Sequence, residues 1–193
     1  MTNEEILKIF NSSGGVLQGH FLLTSGRHAD TYMQCAKLFV DTNNSEKLCS
    51  ALAKKLTSYK ADIVVSPAVG GILMGYEMAR QLKLPNIFAE RQDGEFALRR
   101  GFSLDKGTKV IVVEDVVTTG GSVKEVVKLV NDLGAKVVAV ASIVDRSAGK
   151  VEFGVPFEAL LSVDVKSYEA QDCPLCRENK IPLYKPGSRS LPV

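Results

Sequence analysis

The stretch Lys109–Ser122, KVIVVEDVVTTGGS, constrains this chain more than any other. It opens on Val110-Ile111-Val112-Val113, an unbroken β-branched run. Such runs form strands buried on both faces, as in a parallel sheet. The run ends in two adjacent carboxylates, Glu114 and Asp115, followed by Val116 and Val117. Two hydroxyls, Thr118 and Thr119, and two glycines, Gly120 and Gly121, come next. Ser122-Val123-Lys124-Glu125 then has the S-x-x-E spacing of a helix capping box. Val123, Val126, Val127, Val130 and Leu133 share one face at helical spacing, and Gly134 supplies the stop.

Each part of this strand–turn–helix unit suits a ribose phosphate. Glycines let the backbone approach an anion closely, and the N–H groups of a helix start are unpaired and point outward. A phosphate there gains charge-assisted hydrogen bonds of roughly 1.5–3 kcal/mol each, against about 0.3–1 kcal/mol from the helix dipole. The oriented donors therefore dominate. Bare carboxylates beside a phosphate repel it. They make sense if they hold the two hydroxyls of the ribose, or help place a magnesium ion that neutralises further phosphates. Other phosphate loops fail on spacing. There is no G-x-x-x-x-G-K-[ST], and Gly70-Gly71 with Gly75 does not make G-x-G-x-x-G.

The rest of the chain supplies the frame. Thr2 and Glu5 form a capping box for a short helix carrying Ile6, Leu7, Ile9 and Phe10. Val16 to Val40 reads as extended, broken by a turn at Thr24-Ser25-Gly26. Ser45 to Tyr59 reads as a helix with Leu48, Leu52 and Leu56 on one stripe. Ile63-Val64-Val65 is a second buried strand, feeding Ser66–Gly71 and a helix through Leu82. Asn86–Glu90 is a third, Asp93-Gly94 a hairpin turn, and Val137–Val144 another apolar strand ending in Asp145-Arg146. A last strand is expected near Ala159–Val163. Strands alternating with helices specify an α/β fold with a parallel sheet. The N-terminal extended segment is too irregular for that sheet and is expected to cap it. Ligands of open parallel sheets bind at the strands' carboxyl ends. Ser66–Gly71, Glu114–Ser122 and Asp145-Arg146 should therefore face one crevice.

Length and charge set the outer limits. The 193 residues suit one domain with a proper core. A net charge of +2, from 24 basic and 22 acidic side chains, calls for neither nucleic acid nor an anionic membrane as partner. No apolar run is long enough to span a bilayer, and the polar start MTNEE is not a signal peptide. Four scattered cysteines form no disulfide framework, which fits a reducing cytoplasm. Cys173-x-x-Cys176 without a second pair nearby is weak evidence for zinc. It is read as two reduced thiols in a packed tail, the alternative being a dimer that supplies four thiolates by symmetry. His20 is read as structural.

The central stretch resembles the phosphoribosyl-diphosphate (PRPP) motif of the type I phosphoribosyltransferases: hydrophobic strand, two acids, two variable residues, then T-T/A-G-G/T-S/T. Three further stretches resemble the orotate phosphoribosyltransferase family. FLLTSGRHADTYMQ (Phe21–Gln34) is similar to the segment whose backbone cradles orotate, Ser66–Gly71 to the pyrophosphate loop, and Asp145-Arg146 to a D-R pair whose arginine binds orotate. The closing CPLCRENKIPL looks like the tail of a short-loop branch. The resemblance implies a type I phosphoribosyltransferase fold in one domain over 1–193, with a hood from about residues 1–40 and the C-terminal tail. It implies a PRPP site of Glu114–Ser122 with Ala68, Val69, Gly70 and Arg91, in which Glu114, Asp115 and Arg91 are catalytic. Orotate would meet Thr118, Arg146, Tyr32, Met33 and Arg27. Mg2+ would be held mainly by PRPP, with Asp115 reaching it through water rather than as a direct ligand. The expected reaction transfers phosphoribosyl from PRPP to orotate, giving orotidine 5'-monophosphate and pyrophosphate on the way to UMP.

The chain also departs from that family. Thr24 and Gly70 stand where lysines are common, and Arg91–Gly101 is a short loop without lysine or histidine. Arg91 matches a basic loop position, while Arg99-Arg100 is either a further anion contact or a solvated hairpin face. Arg27 is either a second anion contact or solvated. The resemblance implies a homodimer whose loop 91–101 reaches the neighbouring site. That loop is expected to be mobile, having little apolar content. A purine or xanthine phosphoribosyltransferase would keep the PRPP motif under a different hood. A PRPP-sensing regulator would need a basic surface or DNA-binding module, and the sequence has neither.

Overall fold

The apolar run Val110–Val113 lies in a nine-residue strand at the middle of a six-stranded sheet. In this computed structural model residues 1–23 and 25–186 are described, so Thr24 lies outside the described residues. The elements in order are α1 (Asn3–Ser12), β1 (Val16–Leu22), β2 (His28–Met33), α2 (Thr42–Leu56), β3 (Ile63–Pro67), α3 (Gly71–Leu82), β4 (Asn86–Gln92) and β5 (Glu95–Leu98). Then come β6 (Lys109–Val117), α4 (Gly121–Asp132), β7 (Lys136–Asp145), β8 (Phe157–Ser162) and the short α5 (Pro174–Glu178). The large sheet runs β5-β4-β3-β6-β7-β8, parallel except for the antiparallel edge pair β4–β5. β1 and β2 form a separate antiparallel pair.

Why β6 reads as a continuous apolar run follows from the pleat. Ile111 and Val113 point into a core built with Ile6 and Phe10 of α1, Leu48 and Leu52 of α2, and Met74 and Met78 of α3. Val110 and Val112 point the other way, onto Val123, Val126 and Val130 of α4. Both faces are covered, so no position in the run tolerates a polar side chain. Each of these fully buried side chains contributes about 1.5–3 kcal/mol from apolar burial.

Four features differ from the sequence reading. Cys35–Phe39 turns as a 3-10 helix instead of continuing the extended segment, because that turn buries Cys35 and Leu38 on one side. β6 does not stop at the acids but runs through Glu114 and Asp115 to Val117, paired with β7 as far as Val117 against Asp145. α4 begins two residues earlier than a Ser122 capping box requires. Its N-cap is Gly120, in a left-handed conformation (φ 73°) with no side-chain cap, and Glu125 pairs with Arg91 instead. Lastly, 91–101 has an apolar anchor that was not anticipated. Phe96 is buried in the second core, Phe88 and Phe102 meet edge to face at 5.3 Å, and Arg100 grips Glu90 with two hydrogen bonds.

Gly75 shows how tightly α3 sits on the sheet. A Cβ there would lie 2.5 Å from Ser66 Oγ and 3.0 Å from both Ser66 Cβ and Asn86 Oδ1. Its role is close packing of α3 on β3 and β4, not anion binding. Gly75→Ala should therefore cost about 1–3 kcal/mol of stability, the range for overpacking a tight site. A urea titration should show a lower midpoint with an unchanged slope. An unchanged midpoint would show that the helix shifts freely.

Candidate active site

β3, β6 and β7 are neighbours in the sheet and parallel, so their carboxyl ends open on the same side. At the end of β3 the chain passes through Ala68, Val69 and Gly70 into α3, and the Ala68–Val69 peptide is cis. The β6 acids lie against this turn. A Cβ on Gly70 would sit 3.6 Å from Asp115 Oδ1, and one on Gly71 would sit 3.1 Å from Glu114 Oε1. Two glycines in succession thus leave room for two carboxylates.

Asp115 is buried. Burial raises its carboxyl above the ordinary value, partly offset by the amide of Val116, which donates to Oδ1 at 2.8 Å, and by Glu114. Beyond the acids, Val116 and Val117 complete the strand, and Thr118 and Thr119 are exposed on the turn. Gly120 is then required by space as well as by its φ. A Cβ would lie 2.6 Å from Val151 Cγ1 and 3.0 Å from Phe153 Cε1. The loop after β7 therefore packs onto the turn and holds it. Gly121 and Ser122 open α4, and no side-chain cap occupies that helix start.

At the end of β7, Asp145 and Arg146 separate in role. Asp145 accepts from Ser147 N (2.7 Å), Ser147 Oγ (2.6 Å), Gly149 N (2.9 Å) and Ser162 Oγ (3.2 Å). Burial pushes its carboxyl up, but these donors outweigh burial and leave it below the ordinary range. Asp145 thus ties the loop together. Arg146 has its amide on Val117 O at 2.8 Å, and its Nε is buried with no hydrogen-bond partner among the described residues. Its guanidinium stands 5.9 Å from the ring centre of Tyr32 on β2. Burial lowers the Arg146 pKa, while Tyr32 and Cys35 counter that shift. Tyr32 in turn is raised by burial and lowered by Arg146, with Asp115 near enough to contribute. The β1–β2 pair therefore brings Tyr32 to the strand ends.

Other expected site residues have different surroundings. The Met33 side chain is buried in the first core, which leaves only its backbone for a ligand. Arg27 is committed to the tail: it donates to Ser167 Oγ (2.8 Å) and Ser167 O (2.6 Å) and pairs with Glu169. Arg91, on β4, bonds Gly94 O and Glu125 of α4 and lies 4.3 Å over the Phe96 ring. Cys35 was missed by the sequence reading. Burial raises its thiol well above the ordinary value, and Asp115, Arg146 and Glu114 are close enough to act on it. No sequence pattern announces it, because it stands outside every motif.

Comparison with known proteins converges on one family. Residues 37–154 match the phosphoribosyl transferase domain. The chain is 54% identical over 191 residues to the orotate phosphoribosyltransferase of Caldanaerobacter subterraneus subsp. tengcongensis, covering 99% of this chain and 100% of that one. It is 52% identical over 186 residues to that of Thermotoga maritima, covering 96% and 99%. Among solved structures it resembles orotate phosphoribosyltransferase from Aeropyrum pernix, with TM-score 0.69 and 25% identity over 81% of this chain and 93% of that one. With the acids on the Gly70–Gly71 turn, the uncapped start of α4 and Arg146 over Tyr32, these matches place the chain in the orotate phosphoribosyltransferase branch of the phosphoribosyltransferase family.

Proposed function

We infer that the crevice at the carboxyl ends of β3, β6 and β7 transfers the 5-phosphoribosyl group of PRPP to orotate, releasing pyrophosphate and forming orotidine 5'-monophosphate. The observation that carries the choice of base is Arg146, whose buried Nε has no partner among the described residues. An orphaned buried donor costs about 1–3 kcal/mol. A ligand carboxylate removes that cost through a planar, charge-assisted pair. Orotate has such a carboxylate, whereas uracil and the unsubstituted purines do not.

The sugar is held from two sides. The backbone of Thr118–Ser122 and the Thr118 and Thr119 hydroxyls take the 5-phosphate, and Glu114 and Asp115 take the ribose diol. Ala68–Gly70 lies where the leaving pyrophosphate must pass. As the bond to pyrophosphate breaks, positive charge builds on the ribose ring, and the two carboxylates stabilise it where it develops. Orotate N1 attacks the opposite face and gives up its proton to solvent or to the departing pyrophosphate, so no protein nucleophile is needed. Glu114 and Asp115 offer the hard oxygen donors that magnesium takes. Mg2+ held mainly by PRPP, with Asp115 through water, would neutralise the pyrophosphate.

The rest of the proposal concerns assembly and place. Val69, Leu73 and Tyr76 expose an apolar stripe at helical spacing beside the β3 loop, and a second copy of this chain is the partner we assign to it. Arg91 from that copy would then serve the leaving group across the interface. Its pair with Glu125 is solvent-exposed, worth about 0–1 kcal/mol, so pyrophosphate can displace it. We place the step in UMP biosynthesis in the cytoplasm, whose reducing conditions suit four cysteines that form no disulfide among the described residues.

Three tests follow from this geometry. Glu114→Gln with Asp115→Asn should abolish turnover. Because burial raises Asp115, its charged form weakens the fold above that pKa and the weakening vanishes as pH falls below it. The Asp115→Asn chain should therefore melt no lower than the parent at pH 7. A fully active variant would remove the acids from the mechanism. Arg146→Ala should raise the orotate KM far more than the PRPP KM, with a loss on the order of 1.5–3 kcal/mol in kcat/KM; equal effects on both would make it scaffold. Finally, mixing inactive Arg91→Ala and Asp115→Asn chains, with subunit exchange verified by mass spectrometry, should restore activity through a hybrid dimer holding one intact site. Silence after confirmed exchange would exclude the cross-subunit arginine.

A further inference from the structure

The C-x-x-C of the tail is not an isolated thiol pair. Cys173 and Cys176 face His20 of β1 and His28 of β2, and one ligand-type atom from each lies within 4.8 Å of all the others. His20 Nε2 is 3.0 Å from His28 Nδ1. Cys173 Sγ is 3.5 Å from His20 Nε2, while Cys176 Sγ is 3.6 Å from His20 Nε2 and 3.2 Å from His28 Nδ1. A tetrahedral zinc with Zn–S near 2.3 Å and Zn–N near 2.05 Å spaces its ligand atoms roughly 3.3–3.8 Å apart. These four separations run from 3.0 to 3.6 Å, close to those edges. One chain thus supplies two sulfurs and two imidazole nitrogens, so the symmetric four-thiolate dimer of the sequence reading is unnecessary.

We propose that His20, His28, Cys173 and Cys176 hold one structural zinc ion that fastens the C-terminal tail to the β1–β2 pair. His20 Nδ1 lies 3.1 Å from Ile181 O. A carbonyl only accepts, so Nδ1 carries the proton and Nε2 turns its lone pair toward the cluster. A backbone carbonyl fixing a ligand histidine in this way is the usual outer support of a zinc site. Cys173-Pro174-Leu175-Cys176 has the C-x2-C spacing that lets both sulfurs reach one ion. His20, His28 and Cys173 are buried, so their polar atoms need one another or an ion. Four protein ligands also close the coordination sphere, which marks a structural ion and not a catalytic one.

The consequence is mechanical. Around the cluster, His28 and Tyr168 exchange two backbone hydrogen bonds of 2.8 Å, and Tyr184 N donates to His20 O at 2.8 Å. Leu22 N also donates to Tyr184 O at 2.9 Å, the Phe21 and Tyr184 rings meet edge to face, and Arg27 ties Ser167 and Glu169, so the cluster sits amid the contacts that join tail to hairpin. Zinc contributes folding free energy directly at such a site. The strand ending in Met33 carries Tyr32, so the ion steadies the face that meets Arg146. The metal assignment itself does not rest on the transfer reaction.

The test is metal analysis of the full chain without a polyhistidine tag, purified without chelator. Inductively coupled plasma mass spectrometry should find about one zinc per chain, the load of a single closed site. Cobalt put in its place should give the thiolate charge-transfer band of a tetrahedral site. Cys176→Ser, altering the exposed ligand, should lose the metal and melt at lower temperature. Parent protein refolded with zinc yet still metal-free would overturn the proposal whatever the variants do. Full metal retention by the Cys176→Ser, Cys173→Ser double variant would overturn it too.

Discussion

The structure depends on keeping two carboxylates at the end of a fully buried strand, against a turn with no side chains to crowd them. β6 is covered on both faces through Val113, and its acids come just past Val112, the last residue paired with β3, while β6 runs on beside β7. There Gly70 and Gly71 leave space for Asp115 and Glu114. A few residues on, Gly120 turns the chain left-handed under Val151 and Phe153 and starts α4 without a side-chain cap. Negative charge and anion-seeking amides therefore lie close together in sequence. Neither is favourable alone: the buried carboxylate is penalised by desolvation, and the helix starts at a glycine that offers no side-chain cap. In the proposed function a ribose phosphate would satisfy both at once, giving diol to the acids and phosphate to the amides.

Much of this was legible because the relevant physics is local. A β-branched run read correctly as a doubly covered strand, and the helices behind β3 and β6 showed in their apolar spacing. The Thr2–Glu5 capping box formed as its spacing required, with bonds in both directions. Ser122 and Glu125 have the same spacing and did not form one. Local spacing cannot tell that Gly120 already caps the helix, or that Glu125 faces Arg91 across the β4–β5 hairpin.

What was not legible needed distant segments to meet. That Arg146 Nε finds no hydrogen-bond partner among the described residues depends on how the loop after β7 folds, since Asp145 takes Ser147, Gly149 and Ser162 instead of the neighbouring arginine. Arg27 was weighed between ligand and solvent and instead holds Ser167 and Glu169 in the tail. His20 and Cys173 stand 153 residues apart, so the histidine half of the metal cluster gave no spacing signal beside its cysteines. Phe96 anchors a hairpin whose arginines had drawn all the attention.

The central claim is that Glu114 and Asp115 read a diol while the α4 start reads the phosphate. Calorimetric titration with ribose 5-phosphate and with its 2-deoxy counterpart tests it most directly, since the two ligands share the phosphate and differ by one hydroxyl. The account predicts that ribose 5-phosphate binds the parent chain more tightly by about 1.5–3 kcal/mol, the range for a hydrogen bond to a charged group. It also predicts that the difference disappears in the Glu114→Gln, Asp115→Asn chain. Equal affinity of the parent for both sugars would contradict it.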